Sequence, residues 1–320
     1  MTRKQFIKGS AIVGLGLAST PVLKAGSGML NSKTYRKVYR VLSASKQMVG
    51  TLPVLRAFAG DHTDYVSPYV FFDEFGPVNL KPGTKPLRVD AHPHAGIIPT
   101  TYFISGSGHH KDSLNYDFQI GVGEFMMFHS GKGAIHMEET GKQLFNDGGD
   151  YHGFQIWLNQ PARLKHTAPE TYVHKDELTP TIVNKDYTAK VVLGEMLGVI
   201  SKIEMQFNAF FVHLKMNAGC RLDIPVEATH NAFIYVIKGK VETEGAREVK
   251  ANQVVLYERG ESLINLFSAE GAELLLLGGQ PLNEPLYSYG PFVMNTEAEI
   301  QQCIMDYNSG KMGNPAEVNR

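Results

Sequence analysis

Two tripeptides constrain this chain more than anything else in it: His92-Pro93-His94 and, after a gap of forty-one residues, His136-Met137-Glu138. In each, the two polar side chains are two positions apart. On a β-strand, residues i and i+2 point to the same face. Each short strand can therefore offer two ligands to one point, together three imidazoles and a carboxylate. That set suits a divalent transition metal such as Fe, Mn, Ni, Cu or Zn, and suits Mg or Ca poorly. The tight turn Gly131-Lys132-Gly133 feeds the second pair. In a β-barrel such a turn brings a distant strand beside the first, with ligand side chains aimed inward. Four protein ligands leave one or two positions open on a five- or six-coordinate metal, which redox or hydrolytic chemistry requires.

The remainder of the chain reads as strands. Tyr69-Val70-Phe71-Phe72, Thr100 to Ile104, Phe125 to Phe128 and Gly153 to Leu158 are β-branched, aromatic or alternating runs, bounded by turns such as Ser105-Gly106-Ser107-Gly108. The chain has 32 glycines and 16 prolines, spread along its length as many short strands with tight turns require. Its 320 residues suit two domains. A net charge of −1 gives no global attraction to nucleic acid or an anionic membrane. Cys220 and Cys303 form no C-x-x-C motif and read as two buried free thiols. No phosphate loop or nucleophile elbow occurs.

The two halves echo each other. Tyr102-Phe103-Ile104-Ser105-Gly106 recurs as Tyr235-Val236-Ile237-Lys238-Gly239, and Gly121 to Gly131 aligns without gaps on Lys250 to Gly260. The echo implies two copies of one all-β domain, here placed at 36–165 and 180–311 on either side of a polar, proline-bounded linker. Carried forward, the register sets Asn265 opposite His136 and Phe267 opposite Glu138, so the second copy lacks the ligands. Near the end, Ala298, Ile300, Ile304 and Met305 recur at helical intervals. They predict a short helix over 296–308, with Thr296 as N-cap and Gly310 as stop.

Residues 1–30 read as an export signal and linker. Arg3-Lys4 begins a charged start, Gly9 to Thr20 is apolar and small, and Ala25-Gly26 supplies small residues for processing. The segment resembles the twin-arginine type, with Lys4 where that pattern has its second arginine. It is too short and glycine-rich for a membrane span. The expected location is therefore the periplasm, with the cytoplasm as the alternative and no membrane association after signal removal.

Taken together, His92-Pro93-His94-x-Gly96, Gly131-Lys132-Gly133-x-x-His136-x-Glu138, Phe71-Phe72-Asp73-Glu74-Phe75 and Gly290-Pro291-Phe292-Val293-Met294-Asn295 resemble the pirin family of the cupin superfamily, from about Val41 to about Lys311. The resemblance implies two cupin jelly-roll barrels facing each other. It also implies a single Fe(2+) in the first barrel only, held by His92, His94, His136 and Glu138. The family opening H-P-H-R-G-F-E-T reads here with Ala95 and Ile98 in place of an arginine and a glutamate, and Lys132 replaces an arginine. These changes leave the ligands intact and alter their surroundings.

Family members divide between quercetin 2,3-dioxygenase-type enzymes and regulators that bind protein partners. The first reading makes the chain a metal-dependent dioxygenase of a flavonol-like or other aromatic diol, with Glu138 as general base. The second makes it a redox-responsive iron protein acting through protein partners without turnover. Metal-assisted isomerase or hydrolase chemistry is a third.

The other candidates have blander roles. His109 and His110 follow a glycine turn and are expected to be exposed. His129 and His152 are expected near the pocket or its surroundings. His213 reads as a satisfied strand histidine, and Trp157, Phe154 and Met126 as packing.

Overall fold

The computed structural model describes residues 33–320, so the expected export signal lies outside the described residues. The strands in chain order are β1 (Val38–Ser43), β2 (Ser45–Val49), β3 (Leu52–Ala59), β4 (Tyr69–Leu80), β5 (Arg88–His94), β6 (Ile97–Ser105), β7 (Gly108–Asp112), β8 (Asp117–Ile120), β9 (Phe125–His129), β10 (Ala134–Thr140), β11 (Gly149–Asn159) and β12 (Glu170–His174). All but β1 form two sheets, β12-β9-β6-β11-β4-β3-β2 and β5-β10-β7-β8.

The second half continues with β13 (Thr181–Val183), β14 (Tyr187–Leu193), β15 (Glu195–Met196), β16 (Val199–Ile200), β17 (Ala209–Met216), β18 (Cys220–Pro225), β19 (Asn231–Thr243), β20 (Ala246–Lys250), β21 (Gln253–Tyr257), β22 (Leu263–Ser268) and β23 (Ala272–Gly279). A hairpin, β24 (Tyr287–Tyr289) with β25 (Phe292–Met294), then leads into helix α1 (Glu297–Asn308). The architecture is all-β, two cupin-type sandwiches and a short C-terminal helix, with the sheets bent but not closed. No described helix is long and apolar enough to cross a membrane.

Alternation along the central strands shows how the halves meet. Phe125 and Met127 enter the core shared with Phe233, Tyr235, Leu275 and Leu277. Met126 and Phe128, between them, face the interior of the first sandwich. Both faces of the large sheet are thus buried, and this is why Phe125 to Phe128 is a continuous apolar run rather than an alternating one. Polar links cross the same interface. Tyr69 donates to the Phe210 carbonyl at 2.8 Å, Tyr102 to His213 Nδ1 at 3.0 Å, and Tyr235 to Glu74. His152 also bonds Glu74, at 2.6 Å.

One strand leaves its own half. β1 pairs antiparallel with β21, Val38 opposite Tyr257. Just before it, the buried Arg36 guanidinium donates to the carbonyls of Glu261, His230 and Glu227. A charge taken from water needs such partners.

The C-terminal segment covers the outer face of the small sheet. Ile135 and Met137 of β10 pack beneath Phe292, Met294, Ile300 and Met312. His136 and Glu138, alternating with them, therefore point inward. The helix is capped as expected: Thr296 Oγ1 accepts from the Glu299 amide, in a Thr-x-x-Glu box. Cys220 and Cys303 are buried free thiols.

Candidate metal centre

β5 and β10 are adjacent, with His92 opposite His136 and His94 opposite Ala134. Two tautomers follow from hydrogen bonds. His92 Nδ1 faces the Asp90 carbonyl at 2.8 Å and His94 Nδ1 faces the Pro291 carbonyl at 3.3 Å. A carbonyl only accepts, so each Nδ1 carries the proton and each Nε2 a lone pair. His136 Nε2 lies 3.1 Å from His92 Nε2, and His94 Nε2 is buried with no partner. One ring nitrogen of each of the three lies within 4.8 Å of the others. Neighbouring donors on an ion with bonds of about 2.1 Å at right angles would stand about 3 Å apart, so the His92–His136 spacing fits one edge of a coordination polyhedron. Burial, followed by the neighbouring imidazoles, holds His94 and His136 well below the usual histidine range; burial also lowers His92. The neutral rings are the form that binds metal.

Glu138 stands apart from this trio. Its Oε1 accepts the Thr101 hydroxyl at 2.8 Å, and the carboxylate groups instead with His110 and His136. Thr101 also meets the Gln155 amide at 2.9 Å. The hydroxyl has one proton, so with Glu138 as its acceptor the Gln155 contact is satisfied by the amide NH₂.

Sequence reasoning missed His110. Neither His109 nor His110 is exposed: they are 6% and 0% accessible. β7 pairs along one edge with β10 and along the other with β8, and four of its five residues are buried. His109 is held by Glu139 at 3.0 Å and Asp117 at 2.7 Å. His110 sits opposite Glu138 on β10. The spacing His110-x-Asp112 was the available signal, since Asp112 Oδ2 lies 3.1 Å from His110 Nε2.

His129 lines a separate groove beside Tyr172 and Glu170, and His152 belongs to the interface between the halves. His213 is satisfied, between Tyr102 and Glu273. Trp157 does more than pack. It stacks on Phe71 with centroids 4.1 Å apart, and its indole Nε1 is buried without a partner.

His92, His94, Glu138, Thr101, Phe103 and Trp157 help to line a cavity of about 70 Å³. An open groove of about 460 Å³ shares His92, His94 and Trp157 with it and is bordered by Pro291.

The second half has the same pairing without the ligands. Asp223 faces Asn265 where His92 faces His136, and Pro225 faces Leu263 where His94 faces Ala134. Phe267 falls opposite Arg221, whose guanidinium covers its ring at 3.9 Å. The interior there is filled by Tyr257, Val236, Ile264 and Leu266.

Two family models match in order: Pirin at residues 51–158 and the Pirin C-terminal cupin domain at 211–313. A Vibrio cholerae protein provisionally named quercetin 2,3-dioxygenase is 31% identical over 287 residues, covering 86% of this chain and 97% of its own. This chain belongs to the pirin family. Pirin of Homo sapiens is 27% identical over 265 residues, covering 81% of this chain and 88% of its own. A solved structure of quercetin 2,3-dioxygenase from Acinetobacter baumannii superposes with a TM-score of 0.84 at 28% identity, covering 88% of this chain and all of that one. The Pirin match spans the strings around His92 and His136, and the Pirin C-terminal match spans the one around Pro291.

Proposed function

We propose that this pirin-family protein is a metal-dependent dioxygenase of a flavonol-like aromatic diol, with one Fe(2+) held by His92, His94, His136 and Glu138. The observation that carries the reading is the convergence of three neutral imidazoles on one point at the edge of an aromatic-walled cavity. The names of the Vibrio and Acinetobacter relatives support the substrate class. The chemistry belongs to the 36–165 half, and the 180–311 half serves as its support.

When bound, the metal would supply a Lewis acid and a site for oxygen. The chain's own residues do the rest. Glu138 accepts the substrate hydroxyl proton on the oxygen that Thr101 leaves free. The Phe71–Trp157 stack offers a flat wall to an aromatic ring, and the Trp157 N–H offers a hydrogen bond to a substrate oxygen. Burial keeps bulk water away from His94 and His136.

Oxygen uptake with a panel of flavonols and catechols, metal-loaded protein against apo protein, tests this. Uptake that depends on metal supports a dioxygenase; no uptake with any aromatic diol overturns it. One observation favours the alternative, a redox-responsive binding protein: a 70 Å³ cavity is well below the roughly 300–1,000 Å³ of pockets that enclose drug-sized ligands. Turnover of a three-ring substrate therefore requires binding through the open groove.

For location, the proposal is export to the periplasm on the signal at residues 1–30. N-terminal sequencing of the mature protein tests it, and an intact Met1-Thr2-Arg3 start would count against it.

A further inference from the structure

One buried pair beside the centre takes no part in the proposed dioxygenase chemistry, and any role for it rests on the same metal centre. His110 Nε2 lies 3.1 Å from Asp112 Oδ2. Asp112 also accepts the Thr171 hydroxyl at 2.6 Å and the backbone amides of Leu114 and Tyr116 at 2.9 and 3.0 Å. Burial pushes this carboxyl up, but the hydrogen bonds from His110 and Thr171 outweigh burial and leave it below its ordinary value. Receiving one hydroxyl and two amide donors, it acts as an acceptor toward His110 as well. In the neutral ring, donation from Nε2 to Asp112 leaves the lone pair on Nδ1.

That Nδ1 is buried with no partner, and so is Nδ1 of His136. With Nε2 ligating the proposed ion, His136 would carry its proton on Nδ1. One ring lacks an acceptor and its neighbour lacks a donor. Their centroids are 5.3 Å apart with planes at 60°. Two hydrogen-bonded imidazoles have centroids about 5 Å apart, so a small rotation about a soft terminal torsion closes the contact.

We propose that His110 receives the Nδ1 proton of His136, so that Thr171, Asp112, His110 and His136 form one hydrogen-bonded line ending at the metal. His110 is a positioning residue in this line. It fixes the His136 tautomer and makes Nε2 a better donor, as carboxylates do behind metal-bound histidines. Phe118 stacks on His110 at 5.1 Å and Phe128 on His136 at 4.7 Å, holding both rings in place.

The test is titration of the apo full chain with cobalt(II), reading affinity by chelator competition and geometry by the visible absorption of the bound ion. His110→Phe keeps a ring against Phe118 and removes the acceptor. Roughly 10- to 100-fold weaker binding and an altered spectrum are expected. His110→Asn places an amide oxygen near the former Nδ1 and should retain most of the parent affinity. His110→Gln places its amide near the former Nε2 and should behave as His110→Phe does. The Asn–Gln contrast carries the test if the Phe variant fails to fold. Equal affinities and spectra across the variants and the parent would overturn the proposal. So would a second equivalent of cobalt in the parent that His110→Phe loses, because His110 would then be a ligand itself. No cobalt binding by the parent would instead remove the metal centre, and this line with it.

Discussion

The Pro291 carbonyl accepts the Nδ1 proton of His94 at 3.3 Å, so a residue of the C-terminal hairpin orients a ligand almost two hundred positions earlier in the chain. The hairpin is fastened by Lys165, whose fully buried ammonium donates to the carbonyls of Gly96 and Val293 at 3.1 and 2.6 Å and to Asn159 Oδ1 at 2.5 Å.

Lys165→Met should therefore loosen the hairpin from the strand that carries His94. Three buried acceptors lose their donor, and the expected loss is about 3 kcal/mol of stability, read by urea denaturation. Metal retention should fall too, although no ligand has changed. A variant as stable and as metal-rich as the parent would show that the fastening is dispensable.

Gly96→Ala should have a similar effect from the other side. Gly96 has φ +75°, and a Cβ there would lie 2.0 Å from the Val293 carbonyl oxygen. The hairpin would have to move away from His94. A melting temperature and metal content equal to the parent's would contradict this close approach.

His94→Ala and Glu138→Ala should separate the trio from its carboxylate. Purified without added metal, the parent should contain about one equivalent, and His94→Ala should lose most of it. Glu138→Ala should lose less, because the three imidazoles remain convergent. Full retention in His94→Ala, read by elemental analysis, would place the ion elsewhere.

Glu273 predicts a pH effect. The hydrogen bond from His213, outweighing burial, lowers its carboxyl from 4.5 to about 2, with Lys215 adding at 3.1 Å. A depressed carboxylate stabilises the fold above its unfolded pKa and loses that contribution as pH falls through the folded value. The full shift would be about 3 kcal/mol, and solvent screening of a partly exposed group leaves about 1–2 kcal/mol. The stability difference between the parent and Glu273→Gln should shrink as pH falls between about pH 4.5 and 2. Urea midpoints across that range measure it; a difference that does not change with pH would refute the assignment.

The sequence made part of this legible. The i, i+2 spacing in His92-Pro93-His94 carried its own geometry and Thr296 announced the helix, whereas Glu138 lies past a register shift in β10 and outside the trio. Strand pairing repeats between the halves at Asn265, which faces Asp223 as His136 faces His92, but not at Phe267, because β10 shifts register between His136 and Glu138. His110 was hidden because Gly108-His109-His110-Lys111-Asp112 shows no alternation: four of the five residues of β7 are buried, and acids from other strands satisfy its charges. The contribution of Pro291 to His94 and the crossing of β1 depend on contacts far apart in the chain, which leave no local pattern.

That crossing has a consequence for biosynthesis. The partner of Val38 is Tyr257, so the first described strand has nowhere to dock until more than two hundred further residues have left the ribosome. Such late pairing is slow. β1 thus stays unpaired until the protein is nearly complete. Closure of this seam is thus among the last events of folding, and it joins the first described strand to the second half.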